Sequence, residues 1–162
     1  MATEQDVAAS NGDPSSPVDY EIGWFDAEKL DSFDSAEALE QHIAAHTIPC
    51  DIWAKLVANA EAQDQPGLHR GGAGDGLAHL KLFTPDGNAT WYLSEVREVG
   101  AYEGQPEGTV NYQLFGLCDL GLGFPELGYV SLTELMELKG PMGLAVERDL
   151  CWTPTPLKDL PK

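Results

Sequence analysis

Residues 114–144, LFGLCDLGLGFPELGYVSLTELMELKGPMGL, decide how the chain is read. Gly116, Gly121, Gly123, Gly128, Gly140 and Gly143, with Pro125 and Pro141, stand among large apolar side chains. The backbone path is therefore specified position by position rather than left to a flexible loop. Within it, Ser131-Leu132-Thr133-Glu134 is a capping box, in which a hydroxyl and a carboxylate satisfy amides that a helix start leaves open. A short helix is expected from there through Leu138, ended by Gly140-Pro141.

Working outward, strand patterns lie on both sides. Ala78, Leu80 and Leu82 alternate with His79 and Lys81, Pro85-Asp86-Gly87-Asn88 is turn chemistry, and Thr90 to Val96 returns with Trp91 and Leu93 on one face. That predicts a hairpin. Val110, Tyr112 and Leu114, alternating with Asn111 and Gln113, predict a third strand. Leu144, Val146, Leu150 and Trp152 share a two-residue period, with Arg148 out of phase, and predict a fourth.

Nearer the N-terminus, Asp34 or Ser35 can cap a helix from about Ala36 to His46, with Leu39, Ile43 and Ala44 on one stripe. After Pro49, the residues Ile52, Trp53, Leu56, Val57 and Ala60 line one face of a stronger amphipathic helix. The expected fold class is α+β: a small antiparallel sheet of about four strands with helices packed on one face. The glycine-rich stretch 63–76 is expected to be a connector. It has neither a lysine after its last glycine nor a GxGxxG spacing, so it is not a nucleotide loop.

With 162 residues the chain supports one domain with a sizeable core. The expected organisation is a disordered acidic tail over 1–18, a single α+β domain over 19–153 and an extended C-terminal tail over 154–162. The charge is the unusual property: 27 acidic residues against 9 basic ones, a net charge of −18. Such a surface repels phosphate backbones and anionic lipid, so direct nucleic-acid or membrane binding is disfavoured. The expected partner is a basic protein surface. No stretch is long and apolar enough for a membrane span or a secretory leader, and Cys50, Cys118 and Cys151 follow no disulfide spacing. A cytoplasmic location is expected.

The acids are concentrated early. The first fifty residues hold eleven Asp or Glu and one Lys, Lys29. Among them, Asp19, Glu21, Trp24, Asp26, Glu28, Asp31, Asp34, Glu37 and Glu40 form a candidate acidic and aromatic binding surface. The competing reading packs the aromatic members on the chain's own core. A second candidate is a polar site of Asp119, Glu126, Glu147 and Arg148, where paired carboxylates could move a proton or hold a hard cation. Against it, Asp119 and Glu126 could instead accept hydrogen bonds from amides of the glycine turns, with Arg148 pairing to one of them.

Cys118 with His79 beside it could be a nucleophile, but an acidic surface keeps a thiol protonated, and a buried structural cysteine is the plainer reading. His42, His46 and Cys50 recur at four-residue spacing, yet Pro49 breaks the helix before the cysteine, and Gln41 stands where a zinc-protease helix carries glutamate. No catalytic residue, metal or cofactor is assigned.

The segments KLFTPDGNATWYLSEV, LFGLCDLGLGFPELGYVSLTEL and GLAVERDLCW together resemble DUF2958, a bacterial domain family of unknown function associated with plasmids and other mobile elements. The likeness runs from Ile48 to Trp152 and leaves the acidic N-terminal region outside. It implies a bacterial, mobile-element setting and transfers no catalytic residue. The expected function is an acidic interaction module that binds a basic protein surface, as a nucleic-acid mimic in plasmid or phage counter-defence. The alternatives are a small metal-dependent or cysteine-based hydrolase around Cys118, Asp119 and Glu126, and a structural accessory of a conjugation or replication assembly.

Overall fold

A computed structural model describes residues 22–24, 32–63 and 76–160. The tail expected over 1–18 lies outside them, as does the connector over 63–76 apart from its two ends. In chain order the elements are β1 (Ile22–Gly23), α1 (Ala36–Ala45), β2 (Thr47–Ile48), α2 (Cys50–Gln63), β3 (Leu77–Ala78), β4 (Leu80–Phe83), β5 (Thr90–Val99), β6 (Asn111–Asp119), β7 (Glu126–Ser131), α3 (Leu132–Glu137), β8 (Glu147–Arg148) and β9 (Thr155–Pro156). The fold is α+β. An antiparallel five-stranded sheet has the order β7-β6-β5-β4-β8, and the pairs β1-β2 and β3-β9 form two short ribbons beside it.

The caps form as their chemistry predicts. Ser35 Oγ accepts from the Ala38 amide at 3.1 Å and starts α1. Ser131 Oγ accepts from the Glu134 amide at 3.4 Å and starts α3, which buries Leu132 and Leu135. Leu56 of α2 and these two leucines meet Leu80, Leu82, Trp91, Leu93, Val96, Leu114 and Val146 in the main core. Helices α2 and α3 therefore cover the same face of the sheet. Helix α1 buries no side chain and sits beside β2 and β8.

The opposite face is covered by the C-terminal segment. Leu160 packs with Ala78 and Leu117, bordered by Tyr92, Trp152 and Leu157, and β9 pairs with β3. Burying one such leucine stabilises by about 1.5–3 kcal/mol. Residues 152–160 are thus a structural layer. No helix among them is long and apolar enough to cross a membrane.

Three strand expectations need correction. Ala78 does not share a face with Leu80 and Leu82: the ladder breaks at His79, and Ala78 joins the second cluster while the leucines join the first. The fourth strand shrinks to Glu147–Arg148, because Asp149 Oδ1 accepts from the Cys151 amide at 3.0 Å and turns the chain away from the sheet. Leu150 is consequently exposed, and Leu144 is exposed in the loop before the strand, where its amide donates to Asp86. Finally, β6 continues through Gly116 to Asp119 and β7 follows it, so part of the stretch read as turns is a hairpin at the sheet edge.

Sheet pairing depends on a missing side chain at Gly116. It lies opposite Leu93, and a Cβ there would collide with the Tyr92 carbonyl oxygen and stand 2.8 Å from Leu93 Cα. Replacing Gly116 by alanine is expected to destabilise by about 2–4 kcal/mol, read as a lowered thermal midpoint. Gly128, which has open space around its Cβ position, should accept alanine with little change.

Candidate functional site

The ladder register locates the polar quartet. Asp119 pairs with Thr90, Thr90 with Phe83, and Phe83 with Glu147, so these two acids are three strand spacings apart, about 14 Å. Glu126 reaches Arg148 through Cys118, Trp91 and Leu82, four spacings or about 19 Å. Side-chain alternation further sends Asp119 and Glu147 to one face, and Glu126 and Arg148 to the other. The four share a level of the sheet and do not meet as one site.

Asp119 and Arg148 have local roles instead. Asp119 Oδ1 accepts from the Gly121 amide at 2.8 Å, and Glu126 is exposed. Arg148 Nε and Nη2 donate to the Thr47 and Ala44 carbonyls, both at 2.8 Å. A guanidinium there satisfies carbonyls at the C-terminal end of α1 and opposes the negative end of its dipole. This explains the out-of-phase arginine that the strand pattern could not place.

Arg148 and Glu147 also border a depression of about 550 Å³ between α1 and β8, with Gln41, Lys81, Phe83 and Asp149. In its lining Lys81 Nζ donates to Asp149 Oδ2 at 2.8 Å and lies 5.3 Å from the Trp152 ring centroid. The hydrogen bond from Lys81 holds the Asp149 carboxyl below its ordinary value of 3.8. A cation and an anion committed to each other leave this depression without a free acid or base of that pair.

Cys118 lies opposite Trp91 and Glu126, whereas His79 sits between β3 and β4, two strands over and beyond the residue row of the cysteine. Burial pushes the Cys118 thiol above its ordinary value of 9.0, which keeps it protonated at neutral pH. His42 and His46 stack at 4.3 Å between ring centroids, with Phe33 4.7 Å from His42. His46 Nδ1 lies 2.8 Å from the His42 carbonyl oxygen, so that nitrogen is a donor. Among the described residues no group of His, Cys, Asp and Glu is placed to hold a metal ion.

Of the N-terminal candidates, Asp19, Glu21, Asp26, Glu28 and Asp31 lie outside the described residues. Trp24 is half-buried against the main core, its Nε1 donating to the Val146 carbonyl at 3.1 Å, as the competing reading of the aromatics has it. Asp34, Glu37 and Glu40 are exposed. A residue the sequence reading did not single out is Asp86. Its Oδ2 accepts from the Met142 amide at 2.6 Å and the Leu144 amide at 3.3 Å, tying the hairpin turn to a loop more than fifty residues away. Only the Pro-Asp-Gly-Asn turn signal marked it.

The molecule is thus a small antiparallel-sheet protein in which Asp86, Asp119 and Arg148 anchor backbone. The chain belongs to the DUF2958 family, described as a protein of unknown function, whose sequence profile matches residues 47–158. No curated protein and no solved structure matches it. Asp34, Glu37 and Glu40 precede the matched region, and the quartet lies inside it.

Because Asp149 has a lowered folded pKa, its pairing stabilises above the unfolded value and is lost as pH falls through the folded one. The gap in thermal midpoint between the wild type and Asp149→Asn should be widest near neutrality and narrow progressively as the pH falls below about 4. Iodoacetamide at neutral pH should alkylate exposed Cys151 well before Cys118, followed by peptide mass mapping; equal rates would contradict the burial of Cys118.

Proposed function

We propose that this chain is a protein-interaction module that binds a basic protein surface, its carboxylates standing in for a phosphate strand. The carrying observation is the charge, 27 acidic against 9 basic residues. The exposure of Asp34, Glu37 and Glu40 supports the reading, since these carboxylates stand in water while the half-buried side of α1 faces the rest of the molecule. Carboxylates three residues apart on a helix rise about 4.5 Å from one to the next. Phosphates advance about 3.4 Å per step along one strand of a duplex. Glu37 and Glu40 do not reproduce that step, so charge rather than spacing points to a nucleic-acid-binding protein as the partner class, and counter-defence by a plasmid or phage is the setting in which occupying one is useful.

The test separates a located surface from bulk acidity. Binding of an arginine-rich peptide, followed by fluorescence anisotropy, should weaken about tenfold or more between low and high salt. The pair Glu37→Gln with Glu40→Gln should weaken it further than the equally neutralising pair Glu61→Gln with Glu98→Gln. Equal losses from the two pairs would reject a surface on α1, and salt-independent binding would reject the electrostatic reading.

A further inference from the structure

Three turns lie side by side at one end of the sheet. The middle one is the β4–β5 turn. On one side the β6–β7 tip presses on it: Gly121, with φ +74°, comes so close that a Cβ would stand 2.5 Å from Asn88 Cβ. On the other side the loop 140–144 is fastened by Asp86, whose carboxylate occupies the space a Cβ on Gly140 would need. Gly123 at φ +84° and Gly143 at φ +86° complete the curvature. These close approaches tie the three turns to one another.

What that fixed frame presents is apolar. Leu122 is 75% exposed, Phe124 81% and Met142 82%, with Leu120 and Leu127 more than half exposed. A groove of about 280 Å³ runs between Cys118, Leu120, Leu122, Phe124 and Glu126. Large apolar side chains clustered in water mark an interaction surface, because exposing them is unfavourable and folding has not removed them. A rigid frame lowers the ordering cost of binding.

We infer that this three-turn rim is a docking surface for a segment of a partner protein in which apolar side chains alternate with arginine or lysine. Charge selects that occupant. The turns carry Asp86, Asp119 and Glu126 against Lys139 alone, and the chain has no Lys or Arg from Glu98 to Leu138. A second copy of the chain, also at −18, is repelled by the same field that attracts a cationic segment. The inference deepens the proposed function and rests on it: the carboxylates attract, and the rim supplies the salt-insensitive grip.

Two peptides of equal charge test it, one alternating arginine with leucine and one alternating arginine with serine. The wild type should bind the leucine peptide about tenfold more tightly than the serine peptide, a margin that survives high salt. The double variant Leu122→Ser with Phe124→Ser should lose that margin while keeping its affinity for the serine peptide. Met142→Gln, on a separate turn, should lose part of it, which keeps the test open if the double variant is unstable. A margin intact in both variants overturns the rim as the docking surface and leaves the proposed function standing. Failure of both peptides to bind the wild type at low salt removes both readings. Sedimentation of the wild type as a dimer that the double variant dissolves, or flotation with phosphatidylcholine vesicles that it abolishes, overturns the inference in favour of a second copy or a lipid surface.

Discussion

Asn59 seats the longest of the described helices on the sheet. Its side-chain amide, buried in α2, donates to the Ser94 carbonyl at 3.0 Å. That carbonyl belongs to the irregularity in β5, where the register with β6 shifts between Leu93 and Glu95. A residue that steps out of the ladder leaves backbone groups needing partners, and the helix supplies one. The bulge thereby becomes the point at which α2 is seated, with Trp53 edge-on to Tyr112 further along the same interface. Gly116, next to the bulge on the neighbouring strand, allows the close backbone approach that accompanies it.

Much of this was readable in order of how local the cause is. Ser35 and Ser131 cap because a hydroxyl reaches an amide three residues on, a matter of a single turn. The amphipathic stripe of α2 reports its buried face directly, since Leu56 and Ala60 recur at helical spacing. The hairpin around Pro85-Asp86-Gly87-Asn88 is likewise local. Strand β7 escaped because Leu127, Gly128 and Tyr129 give no two-residue alternation: the strand lies at the edge with much of its surface in water. The last strand was overextended because Leu144, Val146, Leu150 and Trp152 keep a period while Asp149 turns the chain, a hydrogen bond that periodicity does not register.

The candidate sites divide along the same line. Asp119, Glu126, Glu147 and Arg148 look related because they flank apolar strand residues, and strand order, which sets their separation across the sheet, is absent from spacing along the chain. The acidic N-terminal region is the reverse case. Its charge is visible in composition alone, and Glu37 and Glu40 are exposed because they lie off the half-buried stripe of Leu39, Ile43 and Ala44 on α1. Charge therefore carries the functional reading, and the exposed leucine, phenylalanine and methionine at the turns refine it.

One attachment shapes how the molecule is made. Trp24 bonds to Val146, and Ala44 and Thr47 bond to Arg148, so these tethers span 122, 104 and 101 residues. During ribosomal synthesis the first helix emerges long before the strand that anchors it has been translated. Its docking is a closing event of assembly, and Glu37 and Glu40 meet solvent before the sheet can hold their helix.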